Sequence, residues 1–193
     1  MSEQKFLLGA AAYDPKVVTI WEGFKAFFIQ HGLPFDYVLY SNYEQQVEAH
    51  VAGHFHVAWN SSLAWIRAER VARANGKRAE ALAMRDSDQN LTSVIVVKAD
   101  SPIHTTADLK GKNVGVGAID SPQATLIPLS HLRVNNVTDF TVIRHDILGG
   151  KHGDHIGGER DAARALMSGK VDAACMIDSN HLLFINEIGR AHV

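Results

Sequence analysis

The residues best placed for binding chemistry form one polar loop ahead of a predicted helix, Asp120-Ser121-Pro122-Gln123-Ala124-Thr125. Serine is a favoured cap and proline a favoured first residue of a helix. The amides of Gln123, Ala124 and Thr125 should therefore lie at a helix N-terminus, where unpaired N–H groups attract a small anion. An ordinary capped strand-loop-helix unit has the same pattern, so the segment alone leaves both interpretations open.

Further polar side chains follow or border predicted strands. Tyr13 comes after the first strand, Asn60 after the third, and Ser93 opens a later one. Ligands of open α/β sheets bind beyond the carboxyl ends of the strands. We expect two lobes that face each other across these loops and hold a small polar ligand, although each serine or asparagine also suits a plain turn or cap.

The elements that must position these loops alternate along the first part of the chain. Apolar runs and three-to-four-residue periodicity, ended by glycine or proline, predict strand and helix in turn. Strands are predicted at 5–12, 35–40, 56–59 and 79–84, and helices at 17–31, 43–53 and 63–75. On the first helix the predicted buried residues are Val17, Ile20, Trp21, Phe24, Phe27 and Phe28. This alternation indicates a parallel, doubly wound sheet.

A polar stretch at 85–90 marks the predicted edge of the first lobe, and a second set of α/β elements follows it. The domains are predicted as a first lobe over 1–90, a crossover over 91–100 and a second lobe over 101–193. A crossover strand is predicted at 93–98. The strands of the second lobe are predicted at 114–117, 140–144 and 171–177, its helices at 122–134, 161–168 and 179–187, and a helical turn at 108–112.

Composition narrows the function classes. The 193 residues are 46% hydrophobic, enough for one core or two small lobes, and the formal charge of -2 offers no basic field for nucleic acid. No apolar segment approaches the ~20 residues of a transmembrane helix. The apolar run near the N-terminus is interpreted as a strand rather than a signal peptide, which leaves an exported domain and a cytoplasmic protein both open. Cys175, in an apolar run, is predicted to be buried and not a nucleophile.

The segment SPI followed by ADLKGKNVGVG and a polar helix-start loop resembles the substrate-binding components of ABC transporters. It is most similar to the phosphate/phosphonate-binding family of the type II periplasmic-binding-protein fold. The resemblance implies an α/β fold of two lobes with mainly parallel, doubly wound sheets. It also implies a small polar or anionic solute between the lobes, ABC transporter membrane subunits as partners, and a periplasmic or cell-surface location.

The resemblance also implies which residues contact the solute. By matching motif these are Tyr13, Asn60, Ser93, Ser121, Gln123, Ala124, Thr125, Glu159 and Asp178. Two features depart from the family pattern: the helix-start loop has few hydroxyls and an added Asp120, and Glu159 falls at about the position of a ligand-contacting histidine. A carboxylate there would suit a cationic or hydroxyl-rich ligand. Asp172 is predicted to be a structural turn residue.

In the family the chain normally returns after the last predicted helix with a further strand and C-terminal helices. We expect that return to be absent here, because the sequence stops at Val193. Unpaired strands leave an exposed sheet edge, which invites pairing with a second chain, so a homodimer is a further hypothesis.

A glycine-rich segment at 147–158 is the most unusual insertion. His145, Asp146, His152, Asp154 and His155 lie in or beside it, and His54 and His56 form a second cluster. His152, Asp154 and His155 are weak candidates for a metal site, because their spacing matches no known zinc signature. A solvated loop that closes over a ligand is the favoured interpretation.

Three functions remain at this point. The first is a solute-binding protein without cofactor or catalysis. The second is an enzyme on the same fold, of the pyrimidine-synthase type used in cofactor biosynthesis, which only the histidine-rich segment favours. The third is a cytoplasmic ligand sensor. Nucleophile-elbow, Walker and dinucleotide-binding motifs are missing from the sequence, which favours binding over catalysis.

Overall fold

A computed structural model describes residues 5–146, 158–181, 184 and 191–192. The chain forms two compact units: the described residues up to Ala83 belong to the first, and those from Met84 onward to the second. Both are mixed α/β layers, and four of the six strand pairs in the described residues are parallel.

The first unit alternates strand and helix, as the sequence predicts. Its elements are β1 (Phe6–Ala11), α1 (Lys16–Gln30), β2 (Phe35–Tyr40), α2 (Tyr43–Val51), β3 (Val57–Trp59) and α3 (Ser62–Ala74). The three strands are parallel in the order β2-β1-β3, with Phe6 opposite Phe35 and Leu8 opposite Val57. The carboxyl ends of all three strands therefore lie at one edge of this sheet.

Side-chain caps start two of these helices. The Asn42 side chain accepts a hydrogen bond from the amide of Gln45, and Ser61 accepts one from the amide of Ala64.

The core beneath α1 contains Leu8, Ala10, Val17, Trp21 and Phe35. All three tryptophans and all four tyrosines of the chain belong to this unit; they are Tyr13, Trp21, Tyr37, Tyr40, Tyr43, Trp59 and Trp65.

Two expectations for the first unit are wrong. Residues 79–84 form no strand, and Leu82 and Met84 in that segment are exposed. An apolar pattern makes a strand only where a neighbour accepts its hydrogen bonds, and the described residues provide none there. The buried face of α1 is also narrower than predicted. Ile20, Phe24 and Phe27 are 49%, 41% and 54% exposed, because the narrow three-stranded sheet covers only the side of α1 that carries Val17 and Trp21.

The second unit contains a five-stranded mixed sheet. Its elements are β4 (Ser93–Lys98), β5 (Asn113–Val116), α4 (Ile127–Val134), β6 (Thr141–Arg144), α5 (Gly158–Met167), β7 (Ala173–Ile177) and β8 (Ala191–His192). The order is β6-β5-β7-β4-β8. β6, β5 and β7 run parallel, whereas β4 is antiparallel to β7 and β8. Ser93 at the start of β4 therefore lies opposite Ile177 at the end of β7.

The remaining differences from the predicted elements are local. The helix predicted over 122–134 begins as a π-helical turn, Pro122–Leu126, ahead of α4. The helical turn predicted at 108–112 is a 3-10 turn at Thr106–Leu109. Of the helix predicted over 179–187, residues 179–181 and 184 are helical and the others lie outside the described residues. The two-residue β8 is too short to leave a sequence signal.

β7 is buried on both faces, as the central strand of a covered sheet should be. Ala174 and Met176 pack with Val94, Val96 and Leu166 on one face. Ala173 and Cys175 pack with Val114, Val116 and Leu132 on the other. Burial, and secondarily the charge of Glu159, raises the pKa of the Cys175 thiol to about 12. The predicted burial of Cys175 is confirmed.

None of the helices in the described ranges is both long enough and apolar enough to span a lipid bilayer.

Gly9→Ala should destabilise the first unit by about 2 kcal/mol, because a Cβ there would lie 2.3 Å from the Phe55 ring, which is itself buried. Gly23→Ala is the matched control: a Cβ at Gly23 meets no heavy atom within 4 Å, and replacing a glycine inside a helix stabilises it by up to about 1 kcal/mol. Urea unfolding followed by tryptophan fluorescence measures both, and equal midpoints for the two variants would contradict this packing.

Cys175 should resist thiol reagents at pH 8 in the native chain, because the burial that raises its pKa to about 12 also blocks access. Titration with 5,5′-dithiobis(2-nitrobenzoate) should detect less than about one-tenth of a thiol per chain without denaturant and one thiol per chain in 6 M guanidinium. Full reaction of the native chain would show that β7 is not covered.

Candidate functional site

Polar residues gather at one edge of the second sheet. β5, β6 and β7 are parallel, so their carboxyl ends share this edge, and the antiparallel β4 begins there. The residues that the sequence nominates at this edge are Ser93, Ser121, Gln123, Ala124, Thr125, Glu159 and Asp178. They form the candidate site of the second unit.

The turn that begins at the Ser121 cap and runs through Pro122–Leu126, called here the helix-start turn, forms hydrogen bonds with most of its own polar groups. Ser121 is the cap: its Oγ accepts from the amide of Ala124 at 3.2 Å, and its carbonyl oxygen accepts from the amide of Thr125 at 3.2 Å. Thr125 Oγ1 donates to the carbonyl oxygen of Ala118 at 2.8 Å. The expectation that the amides of Ala124 and Thr125 are free for an anion is therefore wrong. Ser121, which begins the turn, accepts a hydrogen bond from each of these amides.

Glycine at the end of β5 lets this turn pack tightly on the strand. The amide of Gly117 donates to the carbonyl oxygen of Ala124 at 3.2 Å. A Cβ on Gly117 would lie 2.9 Å from the Ala124 Cβ, closer than side chains approach. Close packing against Ala124 therefore explains why the apolar run at 114–117 ends in glycine.

Side-chain hydrogen bonds connect the turn to its neighbours. Ser93 Oγ, at the start of β4, donates to the backbone carbonyl of Gln123. The Gln123 side chain donates through Nε2 to Glu159 Oε1 at 3.1 Å. The structure thus brings Ser93, Gln123 and Glu159 together, although they are far apart in sequence.

Both carboxylate oxygens of Glu159 accept hydrogen bonds from the protein. Oε1 accepts from Gln123, while Oε2 accepts from the Ile177 amide at 3.1 Å and from Asn180 Nδ2 at 2.6 Å. Glu159 lies in the first turn of α5, where a negative charge is favourable to the helix dipole. The side chain therefore joins α5 to the helix-start turn, to the end of β7 and to the helical residues after it. A contact between Glu159 and a ligand stays a prediction.

The acidic residues near this edge have separate roles. The amide of Asp178 donates to the Thr92 carbonyl oxygen at 3.0 Å, and its Oδ1 accepts from the Ser179 amide at 2.7 Å. Asp120 is buried. Asp172 lies at the opposite edge, before β7, and accepts through Oδ2 from the amide of Asn113 at the start of β5 at 2.8 Å, which confirms its predicted structural role.

The first unit holds the other two nominated residues at the carboxyl edge of its own sheet. Tyr13, after β1, is 44% exposed. Asn60, after β3, accepts through Oδ1 from Gln46 Nε2 at 2.8 Å, and Gln46 Nε2 also donates to the carbonyl oxygen of Trp59 at 3.0 Å. That Tyr13, Asn60 and the residues of the second unit contact one ligand stays a prediction.

Sequence reasoning missed Gln46. It stands in the polar run Tyr43-Glu44-Gln45-Gln46, which suggests a solvated helix surface, yet its exposed fraction is 0%. The available signal is its spacing: it lies three residues before the buried Ala49 and next to the buried Val47, on the inward side of α2.

The metal hypothesis receives no support from the residues that can be described. His152, Asp154 and His155 lie outside them, and within them no group of three or more histidine, cysteine, aspartate or glutamate side chains could hold a metal ion. His56 accepts through Nδ1 from the Leu7 amide at 2.9 Å, so it stabilises the start of β1. His145 Nδ1 lies 3.3 Å from the Val116 carbonyl oxygen.

Two surface pockets of the second unit lie away from the nominated residues. One lies beside β6 and is lined by Leu129, Arg133, Val137, Thr138, Phe140 and Val142. The other lies beside β4 and is lined by Ile95, Val97, Lys98, Ser101, Ile103, His104, Thr105, Thr106 and Leu109. Neither pocket is lined by a residue nominated from the sequence.

Comparison with known proteins gives one family match. The family described as the periplasmic phosphonate substrate-binding protein of ABC transporters matches residues 11–187. No curated protein sequence matches the chain.

Solved structures share the fold. One is a binding protein component of an ABC phosphonate transporter from Pseudomonas aeruginosa, with a TM-score of 0.68 and 19% identity, over 96% of this chain and 61% of that one. A second is PhnD1 from Prochlorococcus marinus in complex with methylphosphonate, with a TM-score of 0.69 and 20% identity over 93% of this chain and 66% of that one. A third is the periplasmic aliphatic sulphonate binding protein SsuA from Escherichia coli, with a TM-score of 0.60 and 18% identity over 100% of this chain and 60% of that one. These matches confirm the predicted fold class. The chain spans less than two thirds of the length of each.

Glu159→Ala should lower the unfolding free energy of the second unit by about 2–3 kcal/mol, because it removes the acceptor of three hydrogen bonds. Asp161→Ala is the control on the same helix turn. The Asp161 carboxylate is exposed, and among the described residues it pairs only with Arg164 at 3.5 Å, so we expect a loss of about 0.5 kcal/mol. Differential scanning calorimetry measures both variants. Similar losses for the two would contradict the structural role of Glu159.

Proposed function

The chain belongs to the family of periplasmic phosphonate substrate-binding proteins of ABC transporters, and on this premise we propose that it binds a small phosphonate-like solute for import. The observation that carries the proposal is the family match over residues 11–187. Members of this family bind solutes for a transporter and are not enzymes. Membrane subunits of an ABC importer are the proposed partners, and the periplasm or cell surface is the proposed location.

The structures of similar proteins suggest the solute class. One similar protein is in complex with methylphosphonate, and another is an aliphatic sulphonate binding protein. Phosphonates and sulphonates share a tetrahedral head of three oxygens with negative charge. We propose a solute with such a head, which neutral N–H and O–H donors can bind without a compensating cation.

The carboxylate of Glu159 is compatible with an anionic solute. Its two oxygens accept three hydrogen bonds from neutral groups of the protein, which stabilise the negative charge locally. Glu159 therefore supports the loops rather than selecting a cation, and the departure from the family histidine does not redirect the proposal.

Tyr13 and Asn60 are the proposed neutral donors of the first unit. The Tyr13 hydroxyl makes no hydrogen bond to any described residue, and the Asn60 side chain uses only its oxygen in the contact with Gln46. In the second unit the proposed solute-contacting residues are Ser93, Ser121, Gln123, Ala124, Thr125 and Asp178. Because the amides of Ala124 and Thr125 already donate within the turn, we expect the Ser121 hydroxyl and the Gln123 side-chain NH₂ to be its donors to the solute.

A homodimer is a secondary proposal. In the described part of the first sheet, one side of β3 pairs with β1 and the other has no strand beside it. A second copy could add a strand there. Light scattering that gives only a monomer at 100 μM would rule this pairing out.

Titration calorimetry of the 193-residue chain tests the proposed function. Methylphosphonate should bind saturably at one site per chain, and methanesulphonate, phosphate and sulfate should define how strictly the head group is selected. Zn²⁺ is included because it would reveal a metal site instead. The proposal is wrong if none of the four tetrahedral anions binds.

Tyr13→Phe should weaken methylphosphonate binding about 5–10-fold, the effect of one lost hydrogen bond, and leave the melting temperature unchanged. Tyr37→Phe is the matched control, since its hydroxyl donates to Glu22 at 2.7 Å and has no proposed contact with the solute. Calorimetric titration of both variants should show a loss of affinity only for the first. Equal affinities would remove Tyr13 from the site.

A further inference from the structure

Gln46 is a buried polar side chain that contacts a proposed solute-binding residue. We propose that Gln46 is a positioning residue, which fixes the side-chain amide of Asn60 so that its NH₂ group is offered to the solute. The inference rests on the proposed function, because it assigns a role toward the same solute. It adds the residue that determines whether Asn60 offers a donor or an acceptor to the solute.

The orientation follows from one fixed acceptor. The backbone oxygen of Trp59 can only accept, so the Gln46 atom 3.0 Å from it must be the nitrogen Nε2. The same Nε2 lies 2.8 Å from the Asn60 side chain, so the Asn60 atom on that side must be the oxygen Oδ1. Asn60 Nδ2 is then directed away from Gln46, and it makes no hydrogen bond to any residue that the structure describes.

The reversed arrangement is unfavourable. If the Gln46 amide were rotated by half a turn, its Oε1 would lie against the carbonyl oxygen of Trp59, and two acceptors would face each other. In the observed orientation Oε1 is buried without a hydrogen-bond partner. An unpaired buried carbonyl is destabilising, so the two bonds from Nε2 must outweigh that loss to hold Gln46 in this orientation.

The backbone gives Gln46 little freedom to move. The Asn42 side chain caps α2 through the Gln45 amide, and the Asn42 carbonyl oxygen accepts from the Gln46 amide at 3.3 Å. Gln46 has an exposed fraction of 0%. The side chain is thus enclosed between the first turns of α2 and the end of β3, and it transmits a fixed orientation to Asn60.

The consequence is a selection rule for the solute. An NH₂ group has two donors and no acceptor, so the solute atom that meets Asn60 must be an acceptor, such as a phosphonyl, sulphonyl or carboxyl oxygen. A solute that presents an ammonium or N–H group at this point would be rejected. Were Asn60 free to rotate, it would accept either kind of atom.

A double-mutant cycle tests the positioning role with methylphosphonate as the probe. Gln46→Leu should raise the dissociation constant about 5–10-fold when Asn60 is present, and less than 2-fold in the Asn60→Ala background. Gln45→Leu is the matched control on α2, because Gln45 contacts Ser41 and not Asn60; it should change the constant less than 2-fold. Equal losses from Gln46→Leu in both backgrounds would show a general structural effect and overturn the inference.

A measurement without solute separates this inference from the proposed function. In the unliganded chain, the side-chain NH₂ protons of Gln46 should exchange slowly with water and those of Asn60 rapidly, with the signals assigned by their loss in Gln46→Leu and Asn60→Ala. The opposite pattern would overturn the orientation, whatever binds. If the orientation is observed but the chain binds no tetrahedral anion, the proposed function fails and the positioning role fails with it.

Discussion

The carboxylate of Glu159 holds together the edge of the second sheet at which its parallel strands end. Its hydrogen-bond donors come from the helix-start turn, from the backbone of β7 and from Asn180 beyond β7. Through Gln123 the connection extends to Ser93 at the start of β4. Hydrogen bonds to a carboxylate are stronger than those between neutral groups, so this one side chain firmly connects α5 to all three segments. A site whose segments are already fixed loses less conformational entropy when a ligand binds.

Much of the fold could be predicted because its signals are local. β2 and β4 occupy the predicted residues 35–40 and 93–98, since each is an apolar run bounded by polar or turn-forming residues. α1 ends close to Gly32, whose positive φ of 81° stops the helix. The strand expected at 79–84 failed for the opposite reason, because strand formation depends on a neighbour from elsewhere in the chain.

The candidate site could be predicted only by position. The sequence pattern placed Asn60, Gln123 and Asp178 just beyond the carboxyl ends of strands, as the structure does, but it does not say which of their atoms form hydrogen bonds within the protein. Ser121 and Glu159 illustrate this limit, since their side chains satisfy groups from other segments. Gln46 is the strongest example: whether a glutamine on a polar helix is buried depends on the carbonyl oxygen of Trp59 across the sheet edge, and that contact leaves no local sequence pattern.

The distribution of aromatic residues determines what spectroscopy can observe. Every indole and phenol ring of the chain belongs to the first unit, and Trp21 lies in its core. Absorption and emission excited near 280 nm therefore arise from that unit alone. If the second unit were to melt first, the optical signal would remain native, and a heat-capacity trace would record an earlier transition that the fluorescence trace omits.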